Sequence, residues 1–184
     1  MPQYVKVAKL EGLPRGKCLA VEVDSQKIVL VHTAKTRTAQ RLQLWLELLL
    51  ACASEQGPRG AALVGRDRHR FRVLERLEAP SSSEAQDRLE QLRSWRQEHR
   101  RRCWPLPPET GWAFAAAEAR GRGWIEAQNA WEGGFQSQGE REDPVQRICF
   151  GSDLPLRELL SEPVQALALE LHQPLLDRRQ EAKR

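Results

Sequence analysis

A run of four residues, His32-Thr33-Ala34-Lys35, follows an apolar stretch at the point where a magnesium-dependent nuclease would carry an acid, one spacer and a lysine. Mg2+ prefers carboxylate oxygens, and the lysine of such a triplet helps to orient or activate the attacking water. Neither register of the triplet has a carboxylate in the acid position, although Glu22 and Asp24 lie one predicted strand earlier. We therefore predict a degenerate motif with no catalytic residue and no metal, in which His32, Thr33 and Lys35 are ordinary strand-end polar groups.

Two predicted strands and a helix would position this motif. Residues 19–23 alternate between apolar and polar side chains, residues 24–27 favour a turn, and residues 28–31 form a second apolar run, so a hairpin is expected. A helix capped by Thr36 or Thr38 should follow, because leucines recur there at spacings of three and four. These leucines are Leu42, Leu46, Leu49 and Leu50, and Gln56-Gly57-Pro58 should end the helix.

Further strands precede a second helix in the predicted order. An opening strand is expected over 4–10, and two more strands over 60–66 and 69–78, which gives a sheet of about five strands. The second helix should cover residues 84–102, with Ser83 as its cap and Gln86 at capping-box distance. His99 lies on the apolar side of this helix, where a packing role is expected.

The last third of the chain is predicted to be helical. Pro107 and Pro108 cannot continue the preceding helix, so an extended crossing over the surface of the sheet domain is expected there. Closing helices are predicted from Pro144 to Phe150 and from Pro163 to Leu176. Residues 133–139 should form the most flexible segment, and residues 177–184 a frayed charged tail.

The expected fold class is therefore α/β (α+β), a mixed sheet flanked by helices with a helical C-terminal extension. The two strands and helix around the degenerate motif favour a restriction-endonuclease-like sheet that has lost its catalytic residues. Residues 1–104 would form this core, and residues 105–184 a helical part packed on the same domain.

Composition limits the class of protein. The chain has 184 residues, 40% of them hydrophobic and 29% charged, which suits a globular chain with a sizeable core. Its apolar runs are too short to span a bilayer, and its first residues do not resemble a signal peptide, so a cytoplasmic protein is expected. Four scattered cysteines show no metal-ligand spacing and should be reduced and mostly buried; no cofactor is predicted. They are Cys18, Cys52, Cys103 and Cys149.

Arginines crowd the end of the second predicted helix, although the net charge is only +4. A basic helix end is a natural phosphate contact, so these residues are the candidate DNA-binding site. Two alternatives stay open, because arginines at a helix C-terminus also favour its dipole and can pair with acids of a partner subunit. The residues are Arg93, Arg96, Arg100, Arg101 and Arg102.

Tryptophans are interleaved with Arg120 and Arg122 in the helical third. Such interleaving can stack on single-stranded bases, whereas tryptophans at helical spacing more often anchor a core or an interface. Trp112, Trp124 and Trp131 are therefore the candidate interface residues.

Four segments taken in order resemble the C-terminal domain of RecC, the gamma subunit of exodeoxyribonuclease V. They are RRRCWPLPPETGWAFA, AWEGG, GEREDPVQRICFG and a closing helix that ends in HQPLLD. The likeness includes the Pro105-Leu106-Pro107 segment after a long helix and the later Asp143-Pro144 pair, and it extends over nearly the whole chain. Subunits of that family are far longer, so the chain resembles only their terminal piece.

The resemblance implies a non-catalytic structural and DNA-guiding domain of the RecBCD helicase-nuclease, which acts in DNA double-strand break repair and homologous recombination. Its partners would be the RecB and RecD subunits and DNA, with no membrane. Two alternatives remain: a divergent Mg2+-dependent nuclease using Glu22, Asp24 and a further acid, and a protein-interaction module without DNA contact.

Overall fold

The computed structural model describes residues 18–23, 26–33, 37–54, 57–67, 70–101, 104–134, 137–151 and 153–181. The chain divides into two compact units: residues 1–95 with 178–184, called the sheet unit, and residues 96–177, called the helical unit. The division at residue 104 that the sequence suggested stays a prediction. The opening strand expected over residues 4–10 lies outside the described residues.

The sheet unit contains these elements in chain order: β1 (Cys18–Val23), β2 (Gln26–Thr33), α1 (Thr38–Cys52), β3 (Gly60–Asp67), β4 (Arg70–Glu78) and α2 (Ser82–Glu98), whose last turn passes into the helical unit. The helical unit contains α3 (Pro108–Glu118), α4 (Gly123–Glu132), β5 (Gly133–Gly134), β6 (Ser137–Gln138), α5 (Pro144–Phe150), α6 (Leu156–Leu159) and α7 (Glu162–Leu176). The last strand, β7 (Arg179–Glu181), belongs to the sheet unit.

The described strands of the sheet unit lie in the order β1-β2-β3-β4-β7. β1 and β2 form an antiparallel hairpin, β3 runs parallel to β2 after α1, and β4 returns antiparallel to β3. A mixed α/β architecture, the predicted hairpin and the two strands predicted after α1 are thereby confirmed. The predicted charged tail is wrong in part, because β7 pairs with β4 through residues 179–181, where backbone hydrogen bonds hold the chain in a strand.

Helix α1 packs on β2 and β3 with an apolar face that contains Leu44, Trp45, Leu48 and Leu49. The predicted threonine cap is wrong. Arg37 is the N-cap, its backbone N–H donates to the Gln40 side chain at 2.9 Å, and Thr38 is the buried first residue of the helix.

Helix α2 also begins earlier than predicted, because a capping box forms at Ser81 and Glu84 instead of Ser83 and Gln86. The Ser81 N–H donates to Glu84 Oε2 at 2.8 Å, and the Glu84 N–H donates to Ser81 Oγ at 3.3 Å. Glu84 is at N3 and completes this motif, because its carboxylate accepts from the N–H of Ser81.

The helical unit has an apolar core in which α3 packs against α4 and α7. Leu106 belongs to this core at 1% exposure, and the proline segment leads into α3, whose first residue is Pro108. The extended crossing over the sheet surface stays a prediction. A Cβ added at Gly111 would lie 2.7 Å from Leu106 Cδ1, so glycine is needed for this contact.

Within the glycine-rich segment, β5 and β6 pair through Gly133 with Gln138 and Gly134 with Ser137, and residues 135–136 lie outside the described residues. Gly139 is closely packed, since a Cβ there would lie 2.3 Å from the Trp131 carbonyl oxygen. The closing helices were correctly predicted. No helix among the described residues is long and apolar enough to cross a membrane.

Candidate nucleic-acid interface

The end of β2 holds the degenerate motif. His32 lies beside Val64 and Thr33 beside Gly65 in the parallel pairing with β3. Glu22 lies opposite Lys27 in the hairpin, whereas Asp24 and Lys35 fall outside the described residues. Within the part of the chain that the structure describes, no group of three His, Cys, Asp or Glu side chains could hold a metal ion.

The arginine ridge consists of Arg93, Arg96 and Arg100, which lie on α2 and the 3-10 turn that follows it. Positions i, i+3 and i+7 fall on one side of a helix, about 5 to 7 Å apart along its axis. All three residues are exposed. The ridge is therefore a property of one helix and its last turn. The side chain of Arg101 and all of Arg102 lie outside the description.

Charges are segregated around α2. Asp87 and Glu98 are exposed on the side of the helix opposite the ridge, and Glu90 is exposed one turn before Arg93 at the edge of the ridge. Arg93 is 3.7 Å from Glu90, with 69% and 74% of the two side chains exposed, so this pair neutralises Arg93 weakly. The ridge thus presents three like charges to solvent.

Next to the ridge α2 is only half-buried, and its fully buried residue, Ala85, lies three turns before Arg96. Arg88 stacks over the Trp95 ring at 5.1 Å, and His99 meets the edge of Trp104 with ring centroids 4.7 Å apart. A packing role for His99 is therefore confirmed.

The three candidate interface tryptophans differ in burial. Trp112 and Trp131 are buried in the helical unit, and Trp131 Nε1 donates to the Leu154 carbonyl at 3.1 Å. Core packing accounts for both residues. Trp124 is 40% exposed beside exposed Ile125, so it is the tryptophan that remains available to a ligand or partner.

The cysteine prediction is correct for one described thiol and wrong for the other. Cys52 is buried, and burial raises the pKa of its thiol although Arg178 opposes this. Cys149 is exposed, because α5 buries none of its residues.

The sequence reasoning missed two part-buried carboxylates. Glu75 of β4 accepts hydrogen bonds from Arg41 Nε at 2.9 and 3.0 Å and forms an ion pair with Arg179 at 3.3 Å. Glu140 accepts from the Glu109 and Thr110 N–H groups at 3.0 and 2.7 Å, and from Thr110 Oγ1 at 2.8 Å. Burial raises the pKa of Glu140, and these hydrogen bonds oppose the shift.

The sequence reasoning also missed the polar network at the start of α2. Ser82 Oγ and Gln86 Nε2 donate to the Ala53 carbonyl at 3.2 and 3.0 Å, and Arg178 pairs with Glu84 at 2.9 Å. The Ser81–Glu84 spacing signalled a cap, but no pattern in the sequence signals the contacts with Ala53 and Arg178.

A family model described as the RecC C-terminal domain matches residues 7–119, which include the degenerate motif and the arginine ridge. No curated protein matches the chain.

Proposed function

Because the chain belongs to the RecC C-terminal domain family, we propose that it is a non-catalytic structural and DNA-guiding domain of a RecBCD-type complex. The family implies a role in that multisubunit complex and in DNA repair. The proposal adds contacts with the RecB and RecD subunits and with DNA, in the cytoplasm.

The topology around the degenerate motif supports a restriction-endonuclease-like ancestry. A hairpin and a helix are the elements predicted to frame such a site, and β1, β2 and α1 follow one another in this way. After the helix, β3 runs parallel to β2. The stretch after β2 carries His32-Thr33-Ala34-Lys35, where a Mg2+ site would need a carboxylate. We infer that this fold serves as support and does not cleave DNA.

The arginine ridge is the observation that carries the DNA contact. Each strand of duplex DNA has a phosphate about every 3.4 Å of axis, so arginines 5 to 7 Å apart can meet phosphates of one backbone simultaneously. Guanidinium groups bind phosphate oxygens in a forked geometry and remain charged at any physiological pH. Because such contacts go to the backbone, the binding should be independent of base sequence.

The test replaces Arg93, Arg96 and Arg100 with alanine in the full chain and measures affinity for a forked duplex as a function of salt. Loss of three phosphate contacts should weaken binding and lower the slope of log affinity against log salt by about 2 to 3. A charge-matched control removes three exposed arginines elsewhere, Arg59, Arg147 and Arg157, and should leave most of the slope intact.

The same preparations distinguish the competing functions. Mg2+-dependent degradation of linear DNA that is lost in Glu22→Ala would establish a divergent nuclease in place of a support domain. Binding that responds equally to both triple variants would reject the ridge. Tight binding of RecB and RecD without any DNA affinity would identify a protein-interaction module.

A further inference from the structure

Helix α1 is apolar on its outer side as well as on the side that faces the sheet. The leucines that the sequence predicts as one face divide between the two sides: Leu49 is buried, whereas Leu46 and Leu50 are 42% and 59% exposed. A helix with apolar residues on all sides is usually enclosed by protein. The outer side of α1 is therefore a candidate contact surface.

The apolar residues of this outer side form a narrow stripe, called the outer seam, which occupies about 80° of the helix circumference. Three of its members are exposed and two are half-buried, and none of them is charged. The intervals of three and four residues between them are those along which two helices pack together. The outer seam consists of Ala39, Leu42, Leu46, Leu50 and the C-cap residue Ala53.

The spacing of the outer seam is the same in both chain directions. Its successive intervals are three, four, four and three residues, so it is symmetric about Leu46. Two copies packed antiparallel, with a two-fold axis at Leu46, bring Leu42 of each copy to Leu50 of the other. Ala39 then meets Ala53 at both ends. A two-fold contact requires a self-complementary surface of this kind.

The charges at the ends of α1 also favour an antiparallel copy. Its first turn has no acidic residue and its last turn no basic residue, so the helix balances neither end of its own dipole. The exposed N-cap Arg37 adds a positive charge at the start. Antiparallel packing places this positive start beside the negative end of the other helix. Glu47 points about 100° away from Leu46 and stays outside the contact.

We propose that the outer seam is a dimer interface, in which α1 packs antiparallel on α1 of a second copy of this chain with Leu46 at the two-fold axis. This inference goes beyond the proposed function, because it uses neither DNA nor the arginine ridge. A single helix pair about 20 Å long is small for a protein interface. We therefore expect a weak dimer, with a dissociation constant on the order of 10 μM.

The first test places charges at the two-fold axis of the full chain. Leu46→Glu or Leu46→Lys alone opposes like charges across the axis and should weaken dimerisation at least about tenfold in sedimentation equilibrium. An equal mixture of the two variants should dimerise again. Ile148→Glu and Ile148→Lys are the matched controls, because Ile148 is an aliphatic residue of another helix with 85% exposure, and they should not change the equilibrium.

Disulfide cross-linking tests the direction of packing independently. In a Cys149→Ser background, which removes an exposed thiol, Leu46→Cys should cross-link to itself, and Leu42→Cys should cross-link to Leu50→Cys. Leu42→Cys alone should not, because the two copies of this position lie about 12 Å apart along the helix axis in an antiparallel pair. The background without an added cysteine is the blank.

A chain that stays monomeric up to about 200 μM would overturn the proposal. A dimer that both Leu46 variants leave unchanged would overturn it as well, because its interface would lie elsewhere. Self-cross-linking of Leu42→Cys as fast as that of Leu46→Cys would reject antiparallel packing. If the chain is monomeric and Leu46→Glu abolishes its binding to RecB or RecD, the outer seam belongs to a partner subunit and the dimer is rejected.

Discussion

The sheet unit and the helical unit each take a carboxylate partly out of water, and they compensate its charge in different ways. Glu75 in the sheet unit is 5% exposed and lies between the guanidinium groups of Arg41 and Arg179. Glu140 in the helical unit has no cation among its described partners and accepts from two backbone N–H groups and one hydroxyl at the start of α3.

This difference shows what each carboxylate holds together. Glu75 joins α1, β4 and β7, which are far apart in sequence, through full charges. Glu140 satisfies N–H groups at the start of α3, where the Pro107 N-cap makes no side-chain hydrogen bond, so it acts as a remote helix cap. Removal of the Glu75 carboxylate leaves the cations Arg41 and Arg179 facing each other. Removal of the Glu140 carboxylate leaves uncharged N–H groups at the start of α3 without their acceptor.

The largest expected effect comes from Glu75→Gln. It should lower the free energy of unfolding by about 3 kcal/mol, because breaking a buried ion pair leaves uncompensated charge inside the protein. Urea unfolding followed by tryptophan fluorescence measures the change. Glu90→Gln is the matched control on an exposed pair with Arg93 and should cost less than about 1 kcal/mol. Equal costs for the two variants would show that Glu75 is a surface charge in solution.

Sequence reasoning predicted the sheet unit better than it predicted these charges. Period-two alternation over residues 19–23 was sufficient to predict the first hairpin, because successive side chains of a strand point to opposite faces of the sheet. The same alternation places Glu75 in the inward register between Val73 and Leu77, which was a usable signal for a buried carboxylate. Its partners could not be predicted, since Arg41 and Arg179 meet Glu75 only through the tertiary pairing of α1 and β7 with β4.

At the candidate nucleic-acid interface, too, only the features that depend on residues close in sequence could be predicted. The i, i+3, i+7 spacing of Arg93, Arg96 and Arg100 is a local property, so the sequence was enough to predict a common face. By contrast, the hydrogen bond from Ser82 Oγ to the Ala53 carbonyl joins two helix ends that are 29 residues apart in sequence. No local pattern encodes such a contact. Trp112 and Trp131 show that a local pattern can also be insufficient, because helical spacing alone does not distinguish a core tryptophan from an exposed one.

A smaller effect is expected from Glu140→Gln, and pH is the variable that reveals it. Burial raises the pKa of Glu140 in the folded protein above its ordinary value of 4.5, so the folded state binds this proton more tightly than the unfolded state. The contribution of Glu140 to stability is therefore greatest below pH 4.5 and declines as pH rises through the folded pKa.

Glu140→Gln should remove this decline. The glutamine side chain has an NH2 group in place of one carboxylate oxygen, so a donor then faces a backbone N–H group. We expect the free energy of unfolding to fall by about 1 kcal/mol at low pH, and this loss should shrink as pH rises. Urea unfolding at intervals from pH 3.5 to 7.5, a range of about 4 pH units around the ordinary glutamate pKa, measures the difference between the two proteins. A difference that is constant with pH would mean that Glu140 is solvated, as an exposed cap would be.

The smallest effect is expected from Glu84→Gln, and its pH dependence has the opposite sign. Hydrogen bonds from the Ser81 N–H and hydroxyl, with the nearby Arg178 charge, lower the pKa of the exposed Glu84 below 4.5. Its stabilising contribution is present above pH 4.5 and is lost as pH falls through the folded pKa. Glu84→Gln should therefore lose most stability near neutral pH and least in acid, and added salt should reduce the loss because the carboxylate is exposed. If the loss instead grew in acid, as the change at Glu140 is expected to do, the two helix caps would not differ in the way their burial predicts.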